Sequence, residues 1–258
     1  MFDLFSDIFT YRDNVLTRID PRVKLLIALT ALIAVVTAER VFLPLLLAGL
    51  CLGTVAGLRI PVRLVAARLA APLAVAALLV LLQTFVTGTT PLYSFTFAGW
   101  QLTMKAEGLR QGTLLGSRVL GALSVVFLLS LVTPAHRIFQ ALRSFGISKA
   151  WLEIAILMYR YIFVLMDRTA NIAAAQRLRL GYRGARRSLQ SLATLAGATL
   201  IHSFEQAERT AAAMRLRGYG GTMPLGPLPA LGARDRRILV LCLLLIAAAR
   251  LIEWGAVR

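Results

Sequence analysis

The chain contains the same arginine-rich pattern twice. Ala-Ala-Ala-x-Arg-Leu-Arg occupies residues 173–179 and returns at residues 211–217, 38 positions later. An arginine guanidinium is a planar fork of donors that can bind a carboxylate through two parallel hydrogen bonds. The chain has 29 lysines and arginines but only 12 aspartates and glutamates. The pattern therefore predicts docking to acidic groups that lie largely on other molecules.

The two arginines of each copy point in different directions, and only one of them can enter a given pocket. Residues two apart on a helix are separated by about 200°, so Arg177 points nearly opposite to Arg179, and Arg215 to Arg217. The second arginine of each copy is predicted at the very end of its helix, where it could enter a pocket. Either copy alone could instead be a basic last turn that binds anionic lipid. Two copies in one chain favour docking to a dimer of cytoplasmic subunits.

Each copy ends a long segment without helix breakers. Residues 148–179 contain no glycine or proline, and residues 186–217 contain one glycine. At about 1.5 Å per residue each helix would be about 45–48 Å long. Both segments begin apolar, end basic and are followed by glycines. We predict two long helices in or under the cytoplasmic membrane interface.

The rest of the chain has the composition of a membrane protein. Apolar residues make up 58% of it, and the mean hydropathy is +0.74. Five apolar stretches approach the roughly 17–25 residues that a membrane-spanning helix needs; they are residues 23–38, 41–58, 64–86, 111–132 and 238–252. We predict an all-α integral membrane protein with about five transmembrane helices plus the two long helices. Apolar residues 151–166 and 189–201 leave six or seven spans open.

This pattern predicts three regions. Residues 1–133 would be a membrane region of four transmembrane helices, residues 134–235 a cytoplasmic coupling region, and residues 236–258 a C-terminal transmembrane helix. Residues 134–237 hold 16 basic and five acidic side chains, whereas residues 87–106, with a possible hairpin, hold one lysine. The positive-inside rule then places the N-terminus in the cytoplasm. The acidic N-terminal segment does not have the pattern of a cleavable signal peptide.

The sequence lacks the patterns of a catalytic or metal site. None of the three lysines lies in a phosphate-binding G-x-x-x-x-G-K-[ST] loop. The two histidines and two cysteines have no metal-ligand spacing, and the carboxylates are scattered. A net charge of +17 would suggest nucleic acid in a soluble chain, but here the basic loops fix the topology. We expect no enzyme activity, no metal and no nucleic-acid partner.

Three smaller features have open interpretations. Arg118 lies in the fourth apolar stretch on the same helix face as Glu107, eleven residues earlier, which suggests a structural pair, a snorkelling arginine or a coupling role. Gly112, Gly116 and Gly121 suggest a packing seam, either for a sliding partner or within the chain. Asp20, followed by a proline, can begin the first span.

The sequence resembles the transmembrane T component of energy-coupling factor (ECF) transporters. The resemblance rests on "IDPRVKLL" (19–26), on the two long helices and on "AAAMRLRGYG" (211–220), and it covers essentially the whole chain. Residues 118–147 are most similar to the cobalt/nickel-uptake branch. The resemblance implies that each long helix ends in an Ala-Arg-Gly or Ala-Arg-Ser motif that docks in a groove of one of two cytoplasmic ATP-binding-cassette ATPases.

Carried over by position, the two docking motifs are Leu178-Arg179-Leu180 and Leu216-Arg217-Gly218, supported by Arg177, Arg215, Ala175 and Ala213. Leucine stands where the family often has alanine, and Leu180 where glycine or serine is usual. The assignment of Arg179 is therefore weaker than that of Arg217.

The resemblance also implies a division of labour. The ATPases would bind ATP, a separate membrane S component would bind the substrate, and this chain would be a non-catalytic linker without a cofactor. It would lie in the bacterial cytoplasmic (inner) membrane as a multi-pass protein and serve cobalt uptake. Nickel, biotin or several vitamins are alternative substrates. A permease subunit with its own substrate path and an intramembrane enzyme are alternative functions, and the subunit stoichiometry is open.

Overall fold

The computed structural model describes residues 19–58, 62–87, 91–97, 100–221 and 231–255. These residues form helices and one β-hairpin. The helices are α1 (Pro21–Val36), α2 (Phe42–Gly57), α3 (Val62–Val86), α4 (Ala106–Val132), α5 (Ala135–Leu142), α6 (Lys149–Leu178), α7 (Ala185–Leu216) and α8 (Ala233–Gly255). Strands β1 (Pro91–Phe97) and β2 (Trp100–Lys105) pair antiparallel, where the sequence predicted a hairpin. A 3-10 turn follows α5 at Arg143–Phe145.

The chain divides into two compact units. The first combines Met1–Ile138 with Ala230–Arg258, and the second is Phe139–Pro229. Helix α8 thus belongs to the same unit as α1 to α4, although a long stretch of chain separates it from them.

Helix α4 is the centre of the first unit. It packs against α1, α2 and α3, and α8 packs against α1 and α2. Three clusters of buried apolar residues lie between these helices: Val55 with Phe127, Leu131 and Val132; Ala28 with Ala31 and Val125; and Ala34 with Ala38 and Leu43. Only 6% of the most apolar part of α3 is buried, against 44% for α4. The surface of α3 is therefore left for lipid or another protein.

The predicted spans all form helices. By length and composition, two of the described helices could cross a membrane, at Val65–Val86 and Ala106–Val132, and Phe42–Gly57 is a shorter apolar helix. The protein is thus a helical membrane protein in which the count of five crossings stays a prediction. Helix α1 begins as predicted: Asp20 is the N-cap, its Oδ1 accepts the Arg22 backbone N–H at 2.9 Å, and proline follows it.

The glycine seam of α4 packs within the chain. A Cβ built on Gly112 would lie 3.0 Å from the Val80 Cα of α3, and one on Gly121 would lie 2.9 Å from the Pro44 carbonyl oxygen of α2. Gly108, one turn before Gly112, approaches the backbone of α3 still more closely. Of the two interpretations, the structure supports packing within the chain, because these glycines let helix backbones meet directly.

The second unit is an antiparallel pair of long helices. Helices α6 and α7 have 30 and 32 residues, and their bounds lie within one residue of those predicted. Hydrogen bonds join them in reverse order along the chain: Tyr161 to Thr210 at 2.6 Å, Arg168 to Gln206 at 3.2 Å and Thr169 to Thr199 at 3.3 Å. No residue of α7, all of which the structure describes, is buried. Helix α6 buries one apolar side chain, Leu152, so most apolar side chains of this pair stay at least partly exposed.

Candidate docking site at the two helix ends

The first end, defined here as residues 173–181, closes helix α6. Arg179 is the C-cap residue, and its backbone N–H donates to the Ala175 carbonyl at 3.2 Å. The N–H of Leu180 donates to Arg177 at 3.0 Å, and that of Gly181 donates to the Gln176 carbonyl oxygen at 2.8 Å. This pair of bonds is a Schellman motif.

The second end, residues 211–219, repeats this geometry on α7. Arg217 is the C-cap residue, and its N–H donates to the Ala213 carbonyl at 3.2 Å. The N–H groups of Gly218 and Tyr219 donate to the carbonyls of Arg215 and Met214, each at 3.0 Å. The repeated sequence thus gives a repeated cap, with each candidate docking arginine in the same backbone position.

The two caps differ at one residue. The position after the C-cap needs a positive φ, and the second end has glycine there, with φ 76° at Gly218. The first end has Leu180 with φ 56°, the one non-glycine residue with positive φ among those described. A left-handed conformation costs a leucine about 1–2 kcal/mol. Leu180, which stands where the resemblance implies glycine or serine, is therefore under backbone strain.

Both ends present their side chains to the surroundings. Arg177, Arg179, Arg215 and Arg217 are all exposed. Among the described residues, none of the four has an acidic partner within salt-bridge distance. Leu178 and Leu216, the leucines between the arginines, are 87% and 90% exposed. The sequence pattern drew attention to the arginines, whereas the exposure of the leucines needed the structure.

The two ends lie at opposite ends of the helix pair. Because α6 and α7 run antiparallel, the end of α6 lies beside the start of α7, and the end of α7 beside the start of α6. A helix of 30 residues at about 1.5 Å per residue separates the two arginine caps by about 45 Å. One chain therefore offers two similar surfaces that are too far apart for a single small pocket to bind both.

Comparisons with known proteins identify the family. The family model described as "CbiQ: Cobalt transport protein" matches residues 12–226. The chain belongs to the CbiQ cobalt transport protein family. With that family it is a transmembrane component of the ECF type, as the resemblance in the sequence indicated.

Three individual relatives are similar to this chain, and two of them carry cobalt transport names. An uncharacterized protein of Methanocaldococcus jannaschii is 27% identical over 213 residues, which are 82% of this chain and 80% of the relative. A second relative, from Methanocorpusculum labreanum, carries the name of a putative fused cobalt transport protein, CbiMQ. It is 29% identical over 213 residues, which are 81% of this chain and 36% of the relative. The cobalt transport protein CbiQ of Rhodobacter capsulatus is 35% identical over 95 residues, 37% of this chain and 39% of its own. A family of membrane transport proteins agrees with a non-catalytic chain.

In this CbiQ family member, hydrogen bonds between side chains that are distant in the sequence fix the second end. At the second end the Tyr219 hydroxyl donates to Glu153 Oε2 at 2.9 Å, and Glu153 is 3% exposed near the start of α6. This hydrogen bond raises the pKa of Tyr219 above its ordinary value, with smaller effects from desolvation and from the negative charge of Glu153. Such a contact joins residues 66 positions apart and leaves no local signal in the sequence.

A separate network fixes the first end. Gln176 Nε2 donates to the Ser191 carbonyl at 3.0 Å, and its Oε1 accepts from the Tyr182 hydroxyl at 2.8 Å. Ser191 Oγ in turn donates to the Gly181 carbonyl at 2.9 Å. The turn between α6 and α7 is thus held by several side chains.

Arg118 has a different partner from the one predicted. Its Nε and Nη2 donate to the Ala38 carbonyl oxygen, just beyond α1, at 3.1 and 2.6 Å. The expected pair with Glu107 does not form, because eleven residues of helix separate the two by about 16 Å along the axis. Arg118 instead satisfies a carbonyl at the negative end of α1.

Carboxylates and arginines also meet beside the end of α8. Glu253 is 5% exposed and accepts from the Arg40 backbone N–H at 2.6 Å and from Arg250 Nη1 at 3.0 Å. Glu39 joins these groups around a cavity of about 220 Å³. In the part of the chain that the structure describes, no three histidine, cysteine or acidic side chains come close enough to hold a metal ion.

Proposed function

We propose that this chain is the coupling subunit of an ECF-type cobalt importer. The two arginine-capped ends would dock to two cytoplasmic ATP-binding-cassette ATPases, one end on each. The ATPases would bind ATP, and a separate membrane S component would bind the cobalt ion. The chain would lie in the bacterial cytoplasmic membrane with its N-terminus in the cytoplasm.

The observation that carries this proposal is the pair of matching caps. Arg179 and Arg217 occupy the same position in two Schellman motifs and lie about 45 Å apart. Neither has an acidic partner among the described residues. Two similar ends on one asymmetric chain suit two similar partners, and bidentate pairing suits a carboxylate in a groove.

The antiparallel pair also limits how the coupling can work. The first end lies beside the start of α7 and the second end closes α7, so the rigid helix keeps the two ends about 45 Å apart. Closing of an ATPase dimer would therefore move the two ends by tilting the helix pair rather than by shortening the distance between them. This movement would tilt the S component so that it opens toward the cytoplasm.

Charge reversal at the ends tests the proposal. Arg179→Glu, Arg217→Glu and the double variant would be co-purified from membranes with candidate ATPase subunits, and ATP hydrolysis and cobalt uptake would be measured. We expect the double variant to insert normally but to lose the ATPases, because truncating or reversing one partner of a buried charge pair costs about 2–5 kcal/mol.

Each copy of the motif provides a matched control. Arg177→Glu and Arg215→Glu change the charge by the same amount, one residue away from each leucine, and should do much less. If all variants keep the ATPases, the ends bind lipid headgroups and the proposal is wrong. If the wild-type complex transports nickel but not cobalt, the coupling role stands and the substrate is wrong.

A further inference from the structure

The two leucines in the arginine caps are exposed to an unusual degree. Leu178 and Leu216 are 87% and 90% exposed, the highest values among the large apolar side chains that the structure describes. On the same helix as Leu178, Leu152 is 2% exposed. A leucine left in water forgoes the favourable transfer that drives most apolar side chains into a core or an interface.

Both leucines occupy the same structural position. Each is the last residue of its helix, and each stands between two exposed arginines. With about 100° between successive residues, the leucine projects between its two neighbours. Each end is thus an apolar knob flanked by positive charge on both sides, and its complement is an apolar slot with an acidic rim.

The backbone favours a protein slot over a lipid surface. Binding of an amphipathic helix to a membrane needs apolar area and positive charge but no defined backbone geometry at one residue. Here both ends are held by the same two capping hydrogen bonds, and Leu180 adopts φ 56° to keep them. A non-glycine residue held in such a conformation indicates that a partner protein recognises the backbone shape of this end.

We infer that each ATPase receives the leucine of one end in an apolar slot, while acidic groups at the rim of the slot bind Arg179 at the first end and Arg217 at the second. The inference rests on the proposed docking function and assigns the leucines the anchoring role. Leu178 and Leu216 are the anchors, and Arg179 and Arg217 fix the orientation. An apolar centre surrounded by a polar rim is the usual arrangement of protein interfaces.

The two slots are not identical. Where the second end has Gly218, the first end has Leu180, which is 57% exposed. The slot for the first end must therefore accept a second apolar side chain two residues after the anchor. Shortening Leu180 weakens the first end alone.

The test compares leucine and arginine variants of the full chain in lipid nanodiscs, titrated with purified ATPase subunits. Leu178→Ala and Leu216→Ala together should weaken binding at each end roughly tenfold to a hundredfold, the range expected for losing one buried leucine per contact. Leu178→Met and Leu216→Met should stay close to wild type, because methionine keeps the volume. Leu189→Ala is the matched control, since Leu189 is 70% exposed but lies outside both ends.

The outcomes separate the inference from the proposed function. If the arginine charge reversals abolish binding but the leucine-to-alanine pair leaves it unchanged, the anchoring role is overturned and the docking function stands. If wild-type chain does not bind the ATPases at all, both are overturned.

A second measurement distinguishes a lipid partner. A fluorophore on Leu178→Cys, in a Cys51→Ala and Cys242→Ala background, is followed in vesicles that contain spin-labelled lipid. We expect the ATPases to shift its emission to the blue, as burial in an apolar slot requires. Lipid quenching that the ATPases do not relieve would show that the leucine lies in the bilayer and would overturn the inference.

Discussion

Tyr219 donates a hydrogen bond to Glu153 at 2.9 Å and so ties the end of α7 to the start of α6. The covalent turn between the helices holds the opposite end of the pair. At the second end, Tyr219 lies two residues after Arg217, the arginine proposed to dock. Any force applied at Arg217 therefore reaches this hydrogen bond within two residues of backbone.

Tyr219→Phe removes only the hydroxyl group of this contact. Because Glu153 is buried, it then lacks one donor, and the end of α7 should open more often. We expect amide hydrogen exchange at residues 214–219 to become about threefold to tenfold faster. Tyr182→Phe, which removes the hydroxyl at the first end, should leave these amides unchanged. Equal exchange in wild type and Tyr219→Phe would show that the contact does not hold the end.

The same contact predicts a dependence on alkaline pH. Tyr219 has a raised pKa, because its protonated hydroxyl donates to Glu153. A group whose pKa is higher in the folded than in the unfolded state stabilises the folded protein fully when the pH lies below the ordinary pKa of 10.0. This stabilisation is lost as the pH rises through the pKa of the folded state. The unfolding temperature should therefore fall more steeply between pH 9 and pH 11.5 in wild type than in Tyr219→Phe. Parallel curves would contradict this linkage.

Leu180→Gly should stabilise the second unit. Glycine adopts a positive φ without the steric penalty that leucine has, although it also gains more freedom in the unfolded chain. The net gain should be about 0.5–1 kcal/mol, measured as a higher unfolding temperature in detergent. Gly218→Leu makes the reverse change at the second end and should lower stability by a similar amount. A loss of stability in Leu180→Gly would mean that side-chain contacts outweigh the strain.

Gly108→Ala should destabilise the packing of α3 against α4. The added Cβ would meet the backbone carbonyl oxygens of Gln83 and Thr87, the latter at 2.5 Å, and backbone cannot move aside as a flexible side chain can. Overpacking of this kind costs about 1–3 kcal/mol. Gly53→Ala on α2 is the control, because nothing lies within 4 Å of its added Cβ. Thermal unfolding of both variants in the same detergent checks the difference.

Arg118→Met should loosen the junction between α1 and α4. Methionine has similar length but cannot donate to the Ala38 carbonyl, and hydrogen bonds from charged groups contribute about 1.5–3 kcal/mol. We expect a lower unfolding temperature with normal membrane insertion. Arg110→Met, at an exposed position of the same helix, should have little effect. If the two variants unfold alike, the contact with Ala38 is not stabilising.

The sequence alone determined the long helices α6 and α7 with their ends and located the other apolar helices, although α4 and α8 begin five residues before the predicted spans and α5 was not predicted. Helix bounds follow from local interactions, such as Asp20 capping α1, glycine after Arg217 and the absence of breakers inside α6 and α7. The doubled pattern also predicted both arginine caps, because a cap is formed by residues within about one turn of each other. The predicted hairpin followed from turn formers and strand residues in the same way.

Only the tertiary structure decided what the ends and seams contact. The sequence placed Arg118 on one face with Glu107, but helix rise keeps them apart, and a carbonyl of another helix binds the guanidinium instead. Packing between segments distant in the sequence sets the contact of Tyr219 with Glu153 and the facing of Gly112 toward α3. Such packing depends on the shapes of two surfaces at once, and a local pattern describes only one of them.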